Sequence, residues 1–497
     1  MSDNLHDSFL AVAAREPDRT AVFFGDDVVT YGALREQTLA LAAALRRDFG
    51  VRPGDRVGVF LKNRPEFIPV LFAILHAGAV AVPVNNFFKA EEVLHVLADA
   101  GAEVLITETA LAEVVAGVRA ERPGLREWHV EDLGALPPAT GAAPAVGRGD
   151  LALLLYTSGT TGRPKGAMLT HGNLLANVAS CRVVLEAAQV DRFVLMLPMF
   201  HTFMLTVCIL LPLTVGAGIV LIRSLHPAKA MIGEIVRHGG SVLPAMAQVF
   251  RALSGLPPEV AIPSLRLCIS GAGPLPDEIL HGFNRRFPGL PLIEGYGLTE
   301  AAPVVSLNPV HGPWKVGSIG VPVTGVEVSI RDDAGRELPD GEDGELWVRG
   351  DNVMAGYWRQ PEATAAALRD GWLLTGDLGR RDPDGYFRIT DRKKDMLKVN
   401  GINVYPREIE EVLYRFPGVK EAAVVGRPDP KRLEAPVAFV AFEEGRAAEP
   451  KALHDFLREH LADYKVPRDF RVLPALPRNA TGKILKTTLR ELAKAEA

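Results

Sequence analysis

Cysteine is scarce in this chain of 497 residues, which contains only Cys181, Cys208 and Cys268. The three lie far apart and form no Cys-x-x-Cys pair. A disulfide framework or a structural zinc site needs paired or closely spaced cysteines. The sequence therefore predicts reduced thiols in a cytoplasmic protein and argues against disulfide-stabilised and zinc-finger classes.

An excess of positive charge is also absent, because the formal net charge is -5. The only basic cluster, residues 392–394, is short, and nucleic-acid binding depends on neutralising many phosphates. The first 24 residues lack a basic segment followed by an apolar one, so no signal peptide is expected. The predicted partners exclude nucleic acid and include at most peripheral contact with a membrane.

One uncharged run, residues 203–222, is long enough to span a bilayer. Pro212, Gly216 and Gly218 interrupt it, which favours a buried helix followed by a buried strand. Residues 68–84 likewise predict a buried helix followed by a buried strand. Two such units predict a parallel sheet that is covered on both faces.

Strand-like segments alternate with helical periodicity in the first 150 residues, notably at 20–24, 55–60 and 103–107. This alternation is typical of a doubly wound α/β fold. Because the chain is longer than one hydrophobic core usually supports, two or more domains are expected.

The most distinctive stretch, residues 153–166, reads LLLYTSGTTGRPKG. An apolar strand ends in glycines and hydroxyls, whose backbone N–H groups and side chains can donate to phosphate oxygens, and a lysine follows. A Walker A loop would require glycine before the lysine and Ser or Thr after it. Lys165 instead lies between Pro164 and Gly166, so the stretch predicts a polyphosphate site of another kind.

The string YTSGTTGRPKG resembles the signature loop of the adenylate-forming superfamily, which includes acyl-CoA synthetases, peptide-synthetase adenylation domains and firefly luciferase. Other family motifs follow in order: EGYGLTE at 294–300, TGDLG at 375–379 and PRNATGK at 477–483. The resemblance extends from about residue 10 to the C-terminus. It implies an α/β fold, with a large N-terminal domain of several subdomains (1–390) and a small mobile α+β C-terminal domain (391–497).

The resemblance also implies roles for particular residues. The ring of Tyr296 is expected to stack on adenine, and Asp377 is expected to accept the ribose hydroxyls. Mg²⁺ is expected to bind Glu300 and the hydroxyl of Thr157. The predicted nucleotide-binding residues are Thr157, Ser158, Gly159, Thr160, Thr161, Gly162, Lys165, Gly271, Ala272, Gly273, Glu294, Gly295, Tyr296, Gly297, Thr299, Asp377, Arg392, Lys394, Lys398 and Lys483. The predicted catalytic residues are Lys483, His201, Thr299, Glu300 and Lys165.

Two positions in this set belong to the expected domain connection and two to the reaction centre. Lys394 matches the family's pivot, and Lys398 falls where related fatty-acyl ligases have a basic residue near the nucleotide. Lys483 is the expected catalytic lysine, because an ammonium on a flexible stem neutralises charge where two anions meet. Thr299 is expected to hydrogen-bond the α-phosphate.

The segment PMFH, ending at His201, resembles a family motif at the mouth of the acyl pocket. Peptide-synthetase adenylation domains carry an aspartate at this position, and no acidic residue occurs here from Leu195 through Leu213. A buried ammonium would lack a partner, so activation of an amino acid is disfavoured. Residues 203–211 and 242–250 fit both the walls of an apolar acyl site and ordinary core.

The predicted reaction is ATP-dependent activation of a carboxylic acid through an acyl-adenylate, followed by transfer to coenzyme A with release of AMP and pyrophosphate. A medium- or long-chain fatty acid is the expected substrate. The alternatives are an aryl acid and a fatty acyl-AMP ligase that loads a carrier protein. The chain has no GxSxG elbow, so a covalent enzyme intermediate is not expected. The protein is expected to be a monomer or homodimer.

Overall fold

The computed structural model describes residues 3–133, 143–157, 164–225, 227–429, 432–479 and 482–495. Its first section alternates helices and strands, as the apolar periodicity predicts. These elements are α1 Leu5–Arg15, β1 Thr20–Phe24, β2 Asp27–Thr30, α2 Tyr31–Arg47, β3 Arg56–Phe60, α3 Phe67–His76, β4 Val80–Pro83, α4 Ala90–Ala100, β5 Val104–Thr107, α5 Ala112–Glu121 and β6 Arg126–His129.

The middle section carries most of the predicted motifs. Its elements are β7 Leu151–Thr157, β8 Lys165–Thr170, α6 His171–Val184, β9 Arg192–Leu195, α7 Thr202–Met204, a π-helix Leu205–Leu210, α8 Leu211–Val215, β10 Gly218–Leu221, α9 Ala228–Arg237, β11 Val242–Ala245, α10 Ala247–Ser254, β12 Leu267–Ser270, α11 Asp277–Arg286, β13 Leu292–Gly297, β14 Val304–Leu307 and β15 Val321–Pro322.

The last section is richer in antiparallel strands. Its elements are β16 Val326–Arg331, β17 Gly344–Gly350, α12 Pro361–Ala367, β18 Leu368–Arg369, β19 Trp372–Arg381, β20 Phe387–Arg392, β21 Leu397–Val399, β22 Ile402–Val404, α13 Pro406–Tyr414, β23 Val419–Asp429, β24 Leu433–Phe442, α14 Pro450–His460, β25 Asp469–Val472 and α15 Lys486–Ala495. Short 3-10 helices lie at Thr109–Leu111, Val130–Asp132 and Thr299–Ala301.

Two mainly parallel sheets form the centre of the molecule. The nine-stranded sheet has the order β15-β14-β13-β12-β11-β9-β10-β1-β2, and the six-stranded sheet has the order β6-β5-β3-β4-β7-β8. Strands β4, β5, β10 and β12 are buried along their whole length. Burial on both faces explains why these strands read as continuous apolar runs. The predicted doubly wound α/β fold is confirmed.

The uncharged run at 203–222 forms α7, the π-helix, α8 and then β10, as the sequence predicts. The π-helix is fully buried. Within the described ranges, the search for helices long and apolar enough to cross a membrane finds none.

A five-stranded antiparallel sheet, β16 to β20, is followed by a separate five-stranded sheet, β21 to β25. The second sheet and helices α13 and α14 enclose a core of their own around Val399, Leu413 and Val440. Because β20 ends at Arg392 and β21 begins at Leu397, the connection between the two sheets is short. The boundary predicted between residues 390 and 391 falls near the end of β20.

Candidate active site

A cavity of about 1440 Å³ opens where the parallel strands β12 and β13 end. The carboxyl ends of parallel strands are the usual place for a ligand in open α/β sheets. Most of the residues predicted from the sequence line this one cavity: Thr157, Lys165, His201, Gly271, Ala272, Gly273, Glu294, Gly295, Tyr296, Gly297, Thr299, Glu300, Asp377, Arg392, Lys394 and Lys483.

The glycine-rich loop joins two paired strands at the cavity. Thr157, the last residue of β7, pairs with Lys165, the first residue of β8. Ser158, Gly159, Thr160, Thr161 and Gly162 lie outside the described residues, so their predicted contacts with phosphate stay predictions. The two strands nevertheless fix both ends of the loop at the cavity wall.

A chain of contacts links Lys165 to Glu300 through a tyrosine that the sequence reasoning missed. The Nζ atom of Lys165 lies 5.3 Å from the centre of the Tyr357 ring. The hydroxyl of Tyr357 donates a hydrogen bond of 2.9 Å to Oε1 of Glu300. Burial and the charge of Glu300 raise the pKa of Tyr357, which keeps this hydroxyl a donor. Its Gly-Tyr-Trp context carries no chemical signature, so only the structure identifies Tyr357.

The carboxylate of Asp377 is held from two sides. Tyr296 donates its hydroxyl to Oδ2 at 2.5 Å, and Nε of Arg392 lies 2.7 Å from Oδ1. Asp377 is only 3% exposed, so these partners offset the cost of burying its charge. The structure thus joins three predicted nucleotide-binding residues that are far apart in the sequence.

Gly297 ends β13 at a point where the backbone passes very close to another segment. A Cβ atom at this position would lie 2.1 Å from the carbonyl oxygen of Pro303. Only glycine fits such an approach. The second glycine of the EGYGLTE motif therefore allows β13 to turn directly into the short helix that carries Thr299 and Glu300.

His201 caps the short helix α7, and its Nδ1 accepts a hydrogen bond of 3.3 Å from the amide of Phe203. Burial, together with the charge of Lys483, lowers the pKa of His201 to about 4. The imidazole is therefore neutral near pH 7. The next residue, Thr202, lies 3.0 Å from Thr299 between hydroxyl oxygens, and sequence reasoning did not single it out.

Lys483 extends from the C-terminal region into the same cavity. Desolvation by the surrounding protein, with the charges of Arg392 and Lys394, lowers the pKa of Lys483 to about 8 against the opposing effect of Asp377. The side chain still has an exposed surface because the cavity is wide. Below about pH 8 the ammonium form predominates, and this is the form that can neutralise phosphate and carboxylate anions.

Three other predicted residues take less central positions. Lys394 is exposed between β20 and β21, and it lines the cavity. Lys398 is exposed on β21 and is not among the residues that line the cavity. Glu294 is buried, and its Oε1 accepts a hydrogen bond of 3.1 Å from the amide of Leu275.

The polar side chains that line the cavity fit the ligands that the sequence implies, namely Mg²⁺ and a nucleotide. Glu300 and Thr157 offer hard oxygen atoms to the cavity, which is the chemistry that Mg²⁺ prefers. Lys165, Arg392 and Lys483 offer positive charge to phosphate oxygens, and the paired carboxylate of Asp377 is an acceptor for hydroxyl groups. Together, the fold and the site define the class of ATP-dependent enzymes that bind AMP.

Comparison with known proteins identifies the family. Residues 9–358 match the AMP-binding enzyme family, and residues 408–483 match the AMP-binding enzyme C-terminal domain. The chain is 40% identical to a feruloyl-CoA synthase from Amycolatopsis sp., covering 96% of each protein. It is 35% identical to a long-chain-fatty-acid–CoA ligase from Salmonella typhimurium, covering 99% of this chain and 95% of the relative.

Two solved structures have nearly the same fold. The anthranilate CoA ligase AuaEII, in complex with anthranoyl-AMP, gives a TM-score of 0.92 at 31% identity and covers 99% of this chain and 97% of its own. ATP-bound MatB from Rhodopseudomonas palustris gives a TM-score of 0.92 at 30% identity and covers 99% of both chains.

The chain therefore belongs to the AMP-binding enzyme family, in the adenylate-forming superfamily. Within that family it is an AMP-forming acyl-CoA ligase, and its reaction uses ATP, Mg²⁺ and coenzyme A. The resemblance predicted from the sequence motifs is confirmed.

Proposed function

We propose that this ligase activates a carboxylic acid whose body is apolar and uncharged, namely a medium- or long-chain fatty acid. The observation that carries the proposal is the cavity lining contributed by α6 and the segment after His201. Cys181, Val184, Leu185 and Val207 form this part of the wall, and none of them is charged. Such a wall favours an apolar group and would leave a substrate ammonium without a partner.

Adenylate formation then rests on charge neutralisation. The acid's carboxylate attacks the α-phosphate of ATP, pyrophosphate leaves, and no protein nucleophile is required. Lys483 and Lys165 supply positive charge, and Tyr357 orients the Glu300 carboxylate for the metal. Mg²⁺, when bound, neutralises phosphate oxygens. Neutral His201 faces the carboxylate without adding charge to it.

The second half-reaction transfers the acyl group to the thiol of coenzyme A. The thiolate attacks the acyl-adenylate carbonyl, the acyl–phosphate bond breaks, and AMP leaves. In this proposal the small domain rotates about Lys394, and Lys483 leaves the reaction centre to admit the thiol.

An aryl acid is the second candidate substrate. The chain is more similar to the feruloyl-CoA synthase, at 40% identity, than to the fatty-acid ligase, at 35%. Runs 203–211 and 242–250 contribute both lining and core, because Phe203, Val207 and Met246 line the cavity while Leu210 and Leu243 are fully buried. A flat ring and an alkyl chain both fit such a wall.

Pyrophosphate release with a panel of acids tests the proposal. The panel contains an alkanoate series from acetate to palmitate, with benzoate, coumarate and ferulate, and acyl-CoA is measured in parallel. Val207→Phe should lower kcat/KM by roughly tenfold for acids that reach Val207 and spare acetate. Val190→Phe is the matched control, because Val190 is 82% exposed.

The outcomes separate the candidates. The highest kcat/KM for a medium or long alkanoate supports the fatty-acid proposal, whereas the highest value for coumarate or ferulate supports the aryl acid. Absence of pyrophosphate with every acid would refute both.

A further inference from the structure

Charged side chains from the two predicted domains meet at the cavity rim. Arg407, near the start of α13, places Nη2 3.9 Å from Oε1 of Glu294 on β13. The two side chains are only 16% and 7% exposed. Nε of Arg407 also lies 3.9 Å from Oε1 of Glu411, one helical turn further along α13. A single guanidinium thus lies between an acid of the large domain and an acid of its own helix.

Glu294 depends on this guanidinium. Burial raises the pKa of Glu294 to about 7, and Arg407 opposes the rise. The amide of Leu275 donates a hydrogen bond to its carboxylate. Without Arg407 this buried carboxyl would take up a proton near neutral pH, and the attraction that the ion pair supplies between α13 and β13 would be lost. The orientation that brings α13 against β13 is therefore favoured by this pair.

Helix α13 is joined to the segment that carries Lys483. Oε1 of Glu410, on α13, lies 2.7 Å from Nζ of Lys486, three residues after Lys483. The same carboxylate oxygen accepts a hydrogen bond of 2.8 Å from the amide of Val424 on β23. The position of α13 therefore sets the position of the chain just beyond the lysine.

The strand next to α13 holds the other side of this segment. Glu421, on β23, accepts hydrogen bonds from the amide of Leu476 at 3.0 Å and from Nη2 of Arg478 at 2.7 Å. A Cβ atom at Gly482 would lie 2.5 Å from Sδ of Met246, so the segment also abuts the large domain. Described residues before and after Lys483 are thus tied to β23 and α13, and Gly482 lies against Met246 of the large domain.

We propose that Arg407 is a positioning residue: its ion pair with Glu294 holds α13, and through α13 the Lys483 segment, in the orientation that places Lys483 at the nucleotide site. The inference rests on the proposed adenylation reaction. Arg407 acts through Glu294 and the lysine segment and takes no part in the bond changes. Loss of Arg407 should therefore slow adenylate formation, which needs Lys483, and leave thioester formation unchanged.

The test compares the two half-reactions in the full-length enzyme. Arg407→Met should lower the rate of pyrophosphate release by roughly tenfold, because contacting charged groups couple strongly. Thioester formation from a supplied acyl-adenylate, made with the best acid of the panel, should be unchanged. Arg407→Lys should restore part of the first rate. Arg458→Met is the matched control, because Arg458 makes an exposed ion pair with Asp463.

A double-mutant cycle separates positioning from general damage. Glu294→Gln keeps an acceptor for Leu275 and removes the buried charge, so adding Arg407→Met to it should cost much less than Arg407→Met alone. Equal losses in both half-reactions, or fully additive effects, would overturn the positioning role. A wild-type enzyme that releases no pyrophosphate with any acid would instead refute the proposed function itself.

Discussion

At the scale of single residues, the cavity shifts the charge states of the groups that face it. Desolvation, with the charges of Arg392 and Lys394, lowers the pKa of Lys483 to about 8, and desolvation lowers the pKa of half-buried His201 to about 4. Near neutral pH the lysine is still largely protonated and the histidine is neutral. This combination places one mobile positive charge where a carboxylate must approach a phosphate.

The pH dependence of adenylation should report the titration of Lys483. Because the pKa of this lysine is lowered, its charged form predominates below about pH 8 and is lost as pH rises through that value. We expect kcat/KM for pyrophosphate release to fall about tenfold per pH unit above that pKa, because this parameter reports the free enzyme. Initial rates between pH 6.5 and 9.5 provide the measurement.

Two comparisons make the pH profile specific. In Lys483→Arg, the remaining kcat/KM should not decline above about pH 8, because a guanidinium stays charged throughout this range. Thioester formation from a supplied acyl-adenylate should lack this decline as well. A decline that persists in the arginine variant would assign the titration to another group.

At the scale of elements, the hairpin of β23 and β24 has a residue in an unusual backbone conformation at the start of β24, where the sequence reads Leu433-Glu434. Leu433 has φ 72°, a left-handed conformation that suits glycine, and its side chain is 65% exposed. Glu434 accepts a hydrogen bond of 2.7 Å from the amide of Lys398. Leu433 therefore carries backbone strain next to a residue that makes a hydrogen bond across the sheet.

Replacement of Leu433 measures this strain. Leu433→Gly should be more stable than Leu433→Ala by about 1 kcal/mol, because only glycine relieves the left-handed conformation. Alanine is the matched control, since both variants remove the same exposed side chain. The midpoints of thermal or urea unfolding provide the comparison. An alanine variant as stable as the glycine variant would show that the turn is unstrained.

At the scale of the whole molecule, the side chains that line the cavity come from two domains. The large domain supplies Lys165, Glu300 and Asp377, and the region after β20 supplies Lys483. The connection between β20 and β21 spans only residues 393–396. Because the connection is so short, only a few backbone angles set the orientation of the small domain.

Lys394→Pro should therefore impair the second half-reaction more than the first. Proline fixes φ at this position and so hinders the small domain from reaching the orientation for thioester formation. The rate of thioester formation from acyl-adenylate should therefore fall by at least about tenfold. Lys394→Ala is the control, because it removes the side chain and keeps the backbone free. Single-turnover rates of both half-reactions show how much more the second is slowed than the first. Equal losses for proline and alanine would contradict a pivot at this residue.

The sequence by itself determined the class of enzyme, several of the buried strands and sixteen of the residues that line the cavity. Glycines, hydroxyls and charges in fixed local order carry that information, because each motif serves its chemistry within a few residues. The apolar runs likewise predicted buried strands such as β4 and β10, since burial on both faces excludes polar side chains.

Only the tertiary structure decided which distant side chains meet. Tyr357 reaches Glu300, Thr202 reaches Thr299, and Arg407 reaches Glu294. No periodicity or spacing predicts these pairs, because their members are brought together by the packing of separate sheets and helices. Single residues also take their pKa from that packing, as Lys483 and Glu294 do, and so the balance of charge in the cavity is a property of the fold.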